Sequence, residues 1–215
     1  MSEKGIFFDL IVALGNPGDE YSGTRHNVGF IVADELAKSC EGISSEFKVS
    51  GALVRKFLCD GSEVHILKPV KFMNLSGEPV AAFIAKKGIA PERMIVIHDD
   101  MDIATGKMKF SFGSGAAGHN GVQSIIDNVG SANFARLRVG IGRRLNSEGA
   151  DYVLSRFSKN EEKIFENLVE LCVSAIKFSL VNGVQAAMNK YNRRAEESPS
   201  DAEEISKDRN IDKKE

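Results

Sequence analysis

The chain alternates between two spacings of apolar residues, one typical of buried strands and the other of helices. Residues 6–14 are almost continuously apolar, as in a strand covered on both faces of its sheet. Residues 27–38 place apolar side chains three and four positions apart, which is helical spacing. Both patterns recur as far as residue 194. The sequence therefore predicts one α/β domain over residues 1–194, a three-layer α/β/α arrangement around a twisted mixed sheet.

Turn and cap residues mark several element boundaries. Asp60-Gly61 separates two strand-like runs within residues 52–69, and this residue pair is favoured in tight two-residue hairpins. Ser76 stands at the expected N-cap of a helix over residues 77–87, and Gly88 stands where that helix should end. These boundaries agree with the apolar spacing on either side of them.

The end of the chain differs in composition from the rest. Residues 195–215 contain eight acidic and four basic residues, a charge of −4, whereas the whole chain carries −2. This segment is nearly devoid of large apolar side chains, which predicts a disordered tail. The remaining body is slightly basic, at +2, which is compatible with an RNA partner without requiring one.

Cysteine usage indicates a reducing compartment, and hydropathy argues against a membrane-spanning helix. Cys40, Cys59 and Cys172 are few, odd in number and scattered, which argues against a disulfide framework and against a cysteine-type zinc site. No stretch approaches the roughly 18 consecutive apolar residues that a membrane-spanning helix needs. We therefore expect a cytoplasmic protein that does not use a membrane.

Polar clusters follow apolar strands or a glycine-rich turn, where α/β proteins keep their chemistry. The residues concerned are the amides Asn16, Asn74 and Asn120, the imidazoles His26, His98 and His119, and the carboxylate Asp99. We expect His26 to act as a general base, with Asp99 holding its N–H and stabilising the imidazolium. The three amides would then hold substrate carbonyls, the attacking water or the developing oxyanion.

Other interpretations of these clusters fit the sequence less well. Residues 113–118 match the dinucleotide-binding fingerprint, but they do not open a helix directly and no acidic strand end follows. Residues 98–102 offer donors that suit a divalent metal, yet no cysteine or second histidine pair stands at ligand spacing. Each polar residue alone is also a common turn or cap former. We therefore expect no cofactor and no metal. Because no G-x-S-x-G nucleophile motif is present, we expect hydrolysis by an activated water molecule.

Basic residues flank the glycine-rich turn on two predicted strands. They are Lys107, Lys109, Arg136, Arg138, Arg143 and Arg144. A solvated face explains such a cluster as readily as a function does. A basic rim beside a cleft would also bind the phosphates of an RNA.

The clusters resemble, in their order along the chain, those of the bacterial-type peptidyl-tRNA hydrolase family. The matching segments are Leu14-Gly15-Asn16-Pro17-Gly18 with Tyr21, Thr24-Arg25-His26-Asn27-Val28-Gly29, Lys68-Pro69, Phe72-Met73-Asn74-Leu75-Ser76-Gly77, His98-Asp99-Asp100-Met101-Asp102, Gly118-His119-Asn120-Gly121 and Arg136-Leu137-Arg138-Val139-Gly140-Ile141-Gly142. They cover roughly residues 6–192, and so many long motifs in one order make the resemblance highly specific.

The resemblance implies a monomeric, metal-free esterase that cleaves the ester between a peptide and the 3′ ribose of tRNA, recycling tRNA for translation. It implies that His26, Asp99 and Asn120 are catalytic. Further substrate contacts are implied for Asn16, Tyr21, Phe72, Asn74, His119 and Asn120, and tRNA phosphate contacts for Lys107, Lys109 and Arg138.

Two positions depart from the pattern that the resemblance leads us to expect. Ser111 stands where relatives often carry another basic residue, and Ala117 stands where glycine is expected in the turn beside the cleft. Two other functions stay open, a non-catalytic RNA-binding relative of the same fold and an unrelated hydrolase of small esters or amides. Retention of His26 and Asp99 disfavours the first, and the basic flank disfavours the second.

Overall fold

The computed structural model describes residues 7–40, 42–59, 62–143 and 149–196, and these form a seven-stranded mixed sheet between helices. The strands are β1 (Leu10–Ala13), β2 (Phe47–Val49), β3 (Ala52–Cys59), β4 (Ser62–Pro69), β5 (Met94–Asp100), β6 (Met108–Phe112) and β7 (Ala135–Gly140). Their order across the sheet is β2-β3-β4-β1-β5-β7-β6. Pairing is parallel from β4 through β1 and β5 to β7, and antiparallel at both ends of the sheet.

Helices cover both faces of this sheet. They are α1 (Val28–Lys38), α2 (Gly77–Lys87), α3 (Asn120–Val129), α4 (Gly149–Val153), α5 (Lys159–Asn182) and α6 (Val184–Glu196). Leu10 and Val12 of β1 belong to the core that α2 and α3 complete, while Ile11 and Ala13 belong to the core under α1, α5 and α6. Successive side chains of a strand point to opposite faces, so a strand covered on both sides is apolar throughout. The predicted three-layer α/β/α fold is confirmed.

The predicted hairpin is present. Strands β3 and β4 pair antiparallel along their whole length, with Cys59 opposite Ser62. Two residues therefore connect them, and the predicted turn residues, Asp60-Gly61, lie outside the described part of the chain.

The two ends of α2 differ in how well the sequence predicted them. Gly88 has φ 66° and its N–H donates to the carbonyl of Ile84, so the predicted C-terminal cap is confirmed. Ser76 occupies the N-cap position but has helical backbone angles, and its side chain makes no cap hydrogen bond. The N–H of Gly77 instead donates to Oγ of Ser124 in α3, at 2.9 Å. A Cβ on Gly77 would lie 1.9 Å from the Ser124 carbonyl oxygen, so α2 and α3 approach more closely than an L side chain allows.

Edge strand β6 is covered by a side chain from α6. Nδ2 of Asn192 donates to the carbonyl of Phe110, and the Phe110 N–H donates to Oδ1 of Asn192. The amide thus makes the two hydrogen bonds that a further strand would make at this residue.

Helix α6 runs to Glu196 and so includes the first two residues of the predicted tail, and residues 197–215 lie outside the described ranges. Within those ranges, no helix combines the length and apolar character needed to span a bilayer.

Candidate active site

A cleft of about 220 Å³ opens beside the carboxyl end of β5. Its wall includes His26, from the 3-10 turn just before α1, and Asp99, from the end of β5. His119 and Asn120, at the start of α3, line the same cleft, as does Val153 of α4. The carboxyl ends of parallel strands β1 and β5 meet at one edge of the sheet, so residues distant in sequence are brought together there.

Asp99 receives hydrogen bonds from two imidazoles. Its Oδ1 lies 2.8 Å from Nδ1 of His26 and 3.0 Å from Nε2 of His119. Burial alone would raise the pKa of Asp99, but the charge and hydrogen bond of His119, with those of His26, bring that pKa well below its ordinary value. Asp99 is therefore a buried carboxylate that stays ionised and orients both rings.

The environment of His119 determines which of its nitrogens carries the proton. Its Nδ1 accepts from the backbone N–H groups of Gly121 at 3.1 Å and Val122 at 3.3 Å, so the proton of the neutral ring is on Nε2, facing Asp99. Both ring nitrogens are thereby engaged in capping α3 and holding Asp99. The substrate contact that the resemblance implied for His119 stays a prediction, and the ring itself lines the cleft.

His26, Asp99 and His119 also form a three-donor cluster, with ligand atoms within 4.8 Å of one another. Sequence spacing did not reveal this cluster, because the two histidines lie far from Asp99 along the chain. A metal-bound imidazole normally carries a proton on its other nitrogen. Nδ1 of His119 instead accepts two backbone N–H groups, which fits a hydrogen-bonded arrangement better than a metal centre.

His98 lies beneath the cluster of His26, Asp99 and His119 and stays neutral. Its Nδ1 donates to the carbonyl of Asp99 at 2.7 Å, and its ring meets that of His119 edge-on, with 4.8 Å between centroids. Burial lowers the pKa of His98 to about 3; the charge of His119 also lowers it, and that of Asp99 raises it. Of the predicted cluster of residues 98–102, His98 is thus a buried packing imidazole, and Asp99 is the carboxylate that contacts His26.

Asn16 is held by a residue that sequence reasoning missed. The backbone N–H of Asn16 donates to Oδ1 of Asn27 at 2.8 Å, and Nδ2 of Asn27 donates back to the Asn16 carbonyl at 3.0 Å. Oδ1 of Asn16 accepts from the Met73 N–H at 2.8 Å. Asn16 therefore joins the turn after β1 to the turn that carries Asn74. Asn27 stands directly after His26 in one of the segments that carry the family resemblance, but no role was predicted for it.

The three predicted amides do not line one cavity. Asn120 lines the cleft, whereas Asn16 is buried and lines a neighbouring pocket with Asn27. Asn74 is exposed in the 3-10 turn after β4. Beside it, Phe72 is 56% exposed and meets the partly exposed Tyr21 edge-on, with 6.4 Å between ring centroids.

The predicted basic rim is only partly exposed. Lys109 is exposed on β6, and Lys107, just before that strand, is partly exposed. Arg138 lies directly opposite Lys109 in the pairing of β6 with β7, and its Nε donates to Oδ2 of Asp100 at 2.7 Å. Arg144 lies outside the described residues.

Arg136 holds the glycine-rich turn from below and is not part of the rim. The residue is buried, and its guanidinium donates to the carbonyls of Ser114 and Gly115. Ala117, in the same turn, has φ 49°, a left-handed conformation in which glycine is normally favoured. Ser111, on the strand position opposite Arg136, has a buried hydroxyl without a hydrogen-bond partner among the described residues.

A three-layer α/β fold with a histidine–aspartate pair in an open cleft is an arrangement found in enzymes. The family model for peptidyl-tRNA hydrolase matches residues 10–199, and the chain belongs to that family.

Individual relatives agree over almost their full length. The peptidyl-tRNA hydrolase of Syntrophotalea carbinolica is 41% identical over 186 residues, which covers 86% of this chain and 97% of the relative. That of Citrifermentans bemidjiense is 42% identical over 185 residues, covering 86% and 98%. The crystal structure of peptidyl-tRNA hydrolase from Acinetobacter baumannii superposes with a TM-score of 0.81 at 33% identity, covering 89% of this chain and 97% of that one.

Proposed function

We propose that the chain hydrolyses the ester between a peptide and the 3′ ribose of tRNA, releasing both. The observation that carries the proposal is the 2.8 Å contact between Nδ1 of His26 and Oδ1 of Asp99, inside the cleft of a chain that belongs to the peptidyl-tRNA hydrolase family.

The hydrogen bond to Asp99 assigns the chemistry of His26. Nδ1 of His26 keeps its proton and donates it in a hydrogen bond to the Asp99 carboxylate, so the other ring nitrogen, Nε2, carries no proton and acts as the general base. It takes a proton from water as the water oxygen attacks the ester carbonyl carbon. Collapse of the tetrahedral intermediate breaks the bond to the ribose 3′ oxygen, which receives the proton from the imidazolium. Asp99 stabilises that imidazolium throughout.

In this scheme the side-chain amides bind the carbonyl groups of the substrate and the attacking water. Asn120 lines the cleft beside His26 and is placed to hold the attacking water or the developing oxyanion. Asn16 and Asn74 bind the peptide, with Asn16 fixed through Met73 to the turn that carries Asn74.

Aromatic and basic residues serve the tRNA in the same proposal. The edge-on pair of Tyr21 and Phe72 offers an apolar surface for the 3′ end of the substrate. Lys107, Lys109 and Arg138 bind phosphates of the tRNA. The protein acts as a cytoplasmic monomer.

Hydrolysis of N-acetyl-aminoacyl-tRNA tests the function directly, with unblocked aminoacyl-tRNA and a simple ester as controls. We expect release of the N-acetyl-amino acid and slow or absent turnover of both controls. His26→Ala should lower turnover by about 10²- to 10⁴-fold, the usual contribution of a general base, while tRNA binding survives. Near-normal turnover by His26→Ala would remove His26 from the mechanism. Binding without hydrolysis by the unaltered chain would favour the non-catalytic RNA-binding alternative.

A further inference from the structure

The catalytic histidine follows a buried arginine that is anchored to distant parts of the chain. Arg25 is 4% exposed, and its N–H donates to the carbonyl of Ser155 at 3.0 Å. The preceding residue, Thr24, forms a β-bridge with Arg156. The backbone just before His26 is therefore bound to the segment between α4 and α5.

The Arg25 side chain makes a second, stronger attachment to that region. Its Nη2 donates to both carboxylate oxygens of Glu161, at 2.9 and 2.8 Å. The guanidinium carbon lies 4.5 Å from the ring centroid of Tyr152 and 4.4 Å from that of Phe157. Phe157 in turn stacks on Phe165 of α5, with 4.0 Å between centroids. A planar guanidinium bound both to a carboxylate and to aromatic faces has little freedom to move.

Glu161 is itself fixed at the start of α5. Its carboxylate accepts from the backbone N–H of Ser158, as in a capping box, and also from the Ser158 hydroxyl. The hydrogen bond from Arg25, opposed in part by burial and helped by Ser158, lowers the pKa of Glu161 to about 2. The group that holds Arg25 is thus a charged carboxylate on a rigid helix end.

The same attachment reaches the wall of the cleft. The hydroxyl of Tyr152 donates to the carbonyl of Ile141 at 2.6 Å, and its neighbours in α4, Ala150 and Val153, line the cleft. Arg25 therefore contacts α4 on one side and is covalently joined to His26 on the other.

From these contacts we propose that Arg25 and Glu161 are positioning residues for the hydrolysis reaction, which set the distance between His26 and the α4 wall of the cleft. The inference rests on the proposed function, because it assigns a role in that reaction. Neither side chain touches the substrate in this scheme. Each acts through the placement of His26, so its loss affects the chemical step more than binding.

Steady-state kinetics on N-acetyl-aminoacyl-tRNA separates this role from a merely structural one. Glu161→Gln removes the charge while keeping the shape, Arg25→Lys keeps the charge without the fork, and Arg25→Ala removes both. We expect kcat to fall by about 10-fold in the two conservative variants and by about 100-fold in Arg25→Ala, with KM changed by less than about threefold. Measurements are made well below each variant's Tm.

An ion pair remote from the cleft, and more exposed than that of Arg25 and Glu161, supplies the control. Nε of Arg93 donates to the Asp9 carboxylate at 2.6 Å, and Nη2 also binds it. Asp9→Asn therefore weakens another guanidinium–carboxylate contact, here made by two nitrogens of the arginine, and this contact shares no residue with the cleft. We expect kcat to stay within about twofold of the unaltered chain, as for a surface pair that contributes little.

Chemical rescue gives a second readout that a loss of folding would not produce. Arg25→Ala leaves a space between two rings and a carboxylate that matches free guanidinium. Guanidinium at about 50 mM, far below denaturing concentrations, should raise the kcat of Arg25→Ala about fivefold or more, without raising that of Glu161→Gln or Asp9→Asn.

The possible outcomes are distinct. A selective fall in kcat with rescue supports the positioning role. Normal kcat with a lowered Tm, or a change confined to KM, would overturn it, and if Arg25→Ala does not fold, Glu161→Gln decides on the same criterion. Failure of the unaltered chain to hydrolyse the substrate would instead reject the proposed function.

Discussion

Replacement of Asp99 by asparagine tests the centre of the proposed mechanism. Asp99→Asn keeps the size of the side chain and an oxygen that can accept a hydrogen bond from His26 or His119. It removes the negative charge that stabilises the imidazolium formed when His26 takes a proton from water. The substitution therefore acts on the transition state more than on the resting enzyme.

The separation of the two groups sets the size of the effect. With 2.8 Å between the hydrogen-bonded atoms, the two charge centres lie about 4 Å apart. At an effective dielectric constant of about 20, two unit charges at that distance interact by about 4 kcal/mol. Loss of that interaction raises the barrier by a similar amount, so the rate should fall about 10³-fold.

Single-turnover hydrolysis of N-acetyl-aminoacyl-tRNA with excess enzyme measures that step without interference from product release. Asp102→Asn is the matched control, because Asp102 lines the same cleft but bonds to Arg143 and is 54% exposed. We expect its rate to change by less than about threefold. A loss below about tenfold in correctly folded Asp99→Asn would refute the electrostatic role assigned to this carboxylate.

Other expectations concern binding and stability. Lys109→Ala and Arg138→Ala should each weaken tRNA binding and lower the slope of log affinity against log salt by about 1, measured by filter binding; unchanged slopes would place the phosphates elsewhere. His98, whose pKa falls from an ordinary value near 6.5 to about 3, binds a proton only in the unfolded chain between those values, so stability should fall as pH decreases through that window. Urea unfolding of His98→Phe should show a smaller pH dependence, and an unchanged one would contradict the buried neutral state. Gly77→Ala should lower the free energy of unfolding by about 2–3 kcal/mol, against little change for Gly115→Ala, whose Cβ meets open space; equal effects would refute the close approach of α2 and α3.

The fold followed from local signals that act over a few residues. The apolar run before Asn16 predicts a strand covered on both faces, and Gly88 ends α2 because glycine tolerates the left-handed backbone there. The short elements β2 and α4 were not predicted. Three or five residues are too few to show a period, and tertiary contacts decide their conformation.

The site was predictable in its chemistry but not in its supporting contacts. His26 and Asp99 were paired from the sequence, because polar residues at the ends of strands meet at one edge of a sheet. The hydrogen bond of the second imidazole, His119, to that carboxylate was not predicted. Its hydrogen bonds depend on where α3 begins, which sequence fixes only to within a few residues.

Long-range contacts of charged residues were the least predictable. Arg136 was grouped with surface cations, yet it is buried beneath the glycine-rich turn. Arg25 and Glu161 meet across 136 positions of sequence, and neither lies in a pattern that singles out the other. Such pairs depend on how whole elements dock, and no local periodicity encodes that.

The amide of Asn192 has a consequence for self-association. Strand β6 ends the sheet, and an uncovered terminal strand is a template on which a second molecule can extend the ladder. At Phe110 both backbone groups are already taken by a side chain of the same molecule. An approaching chain would have to displace α6 before it could pair at this residue, so α6 hinders edge-to-edge association there.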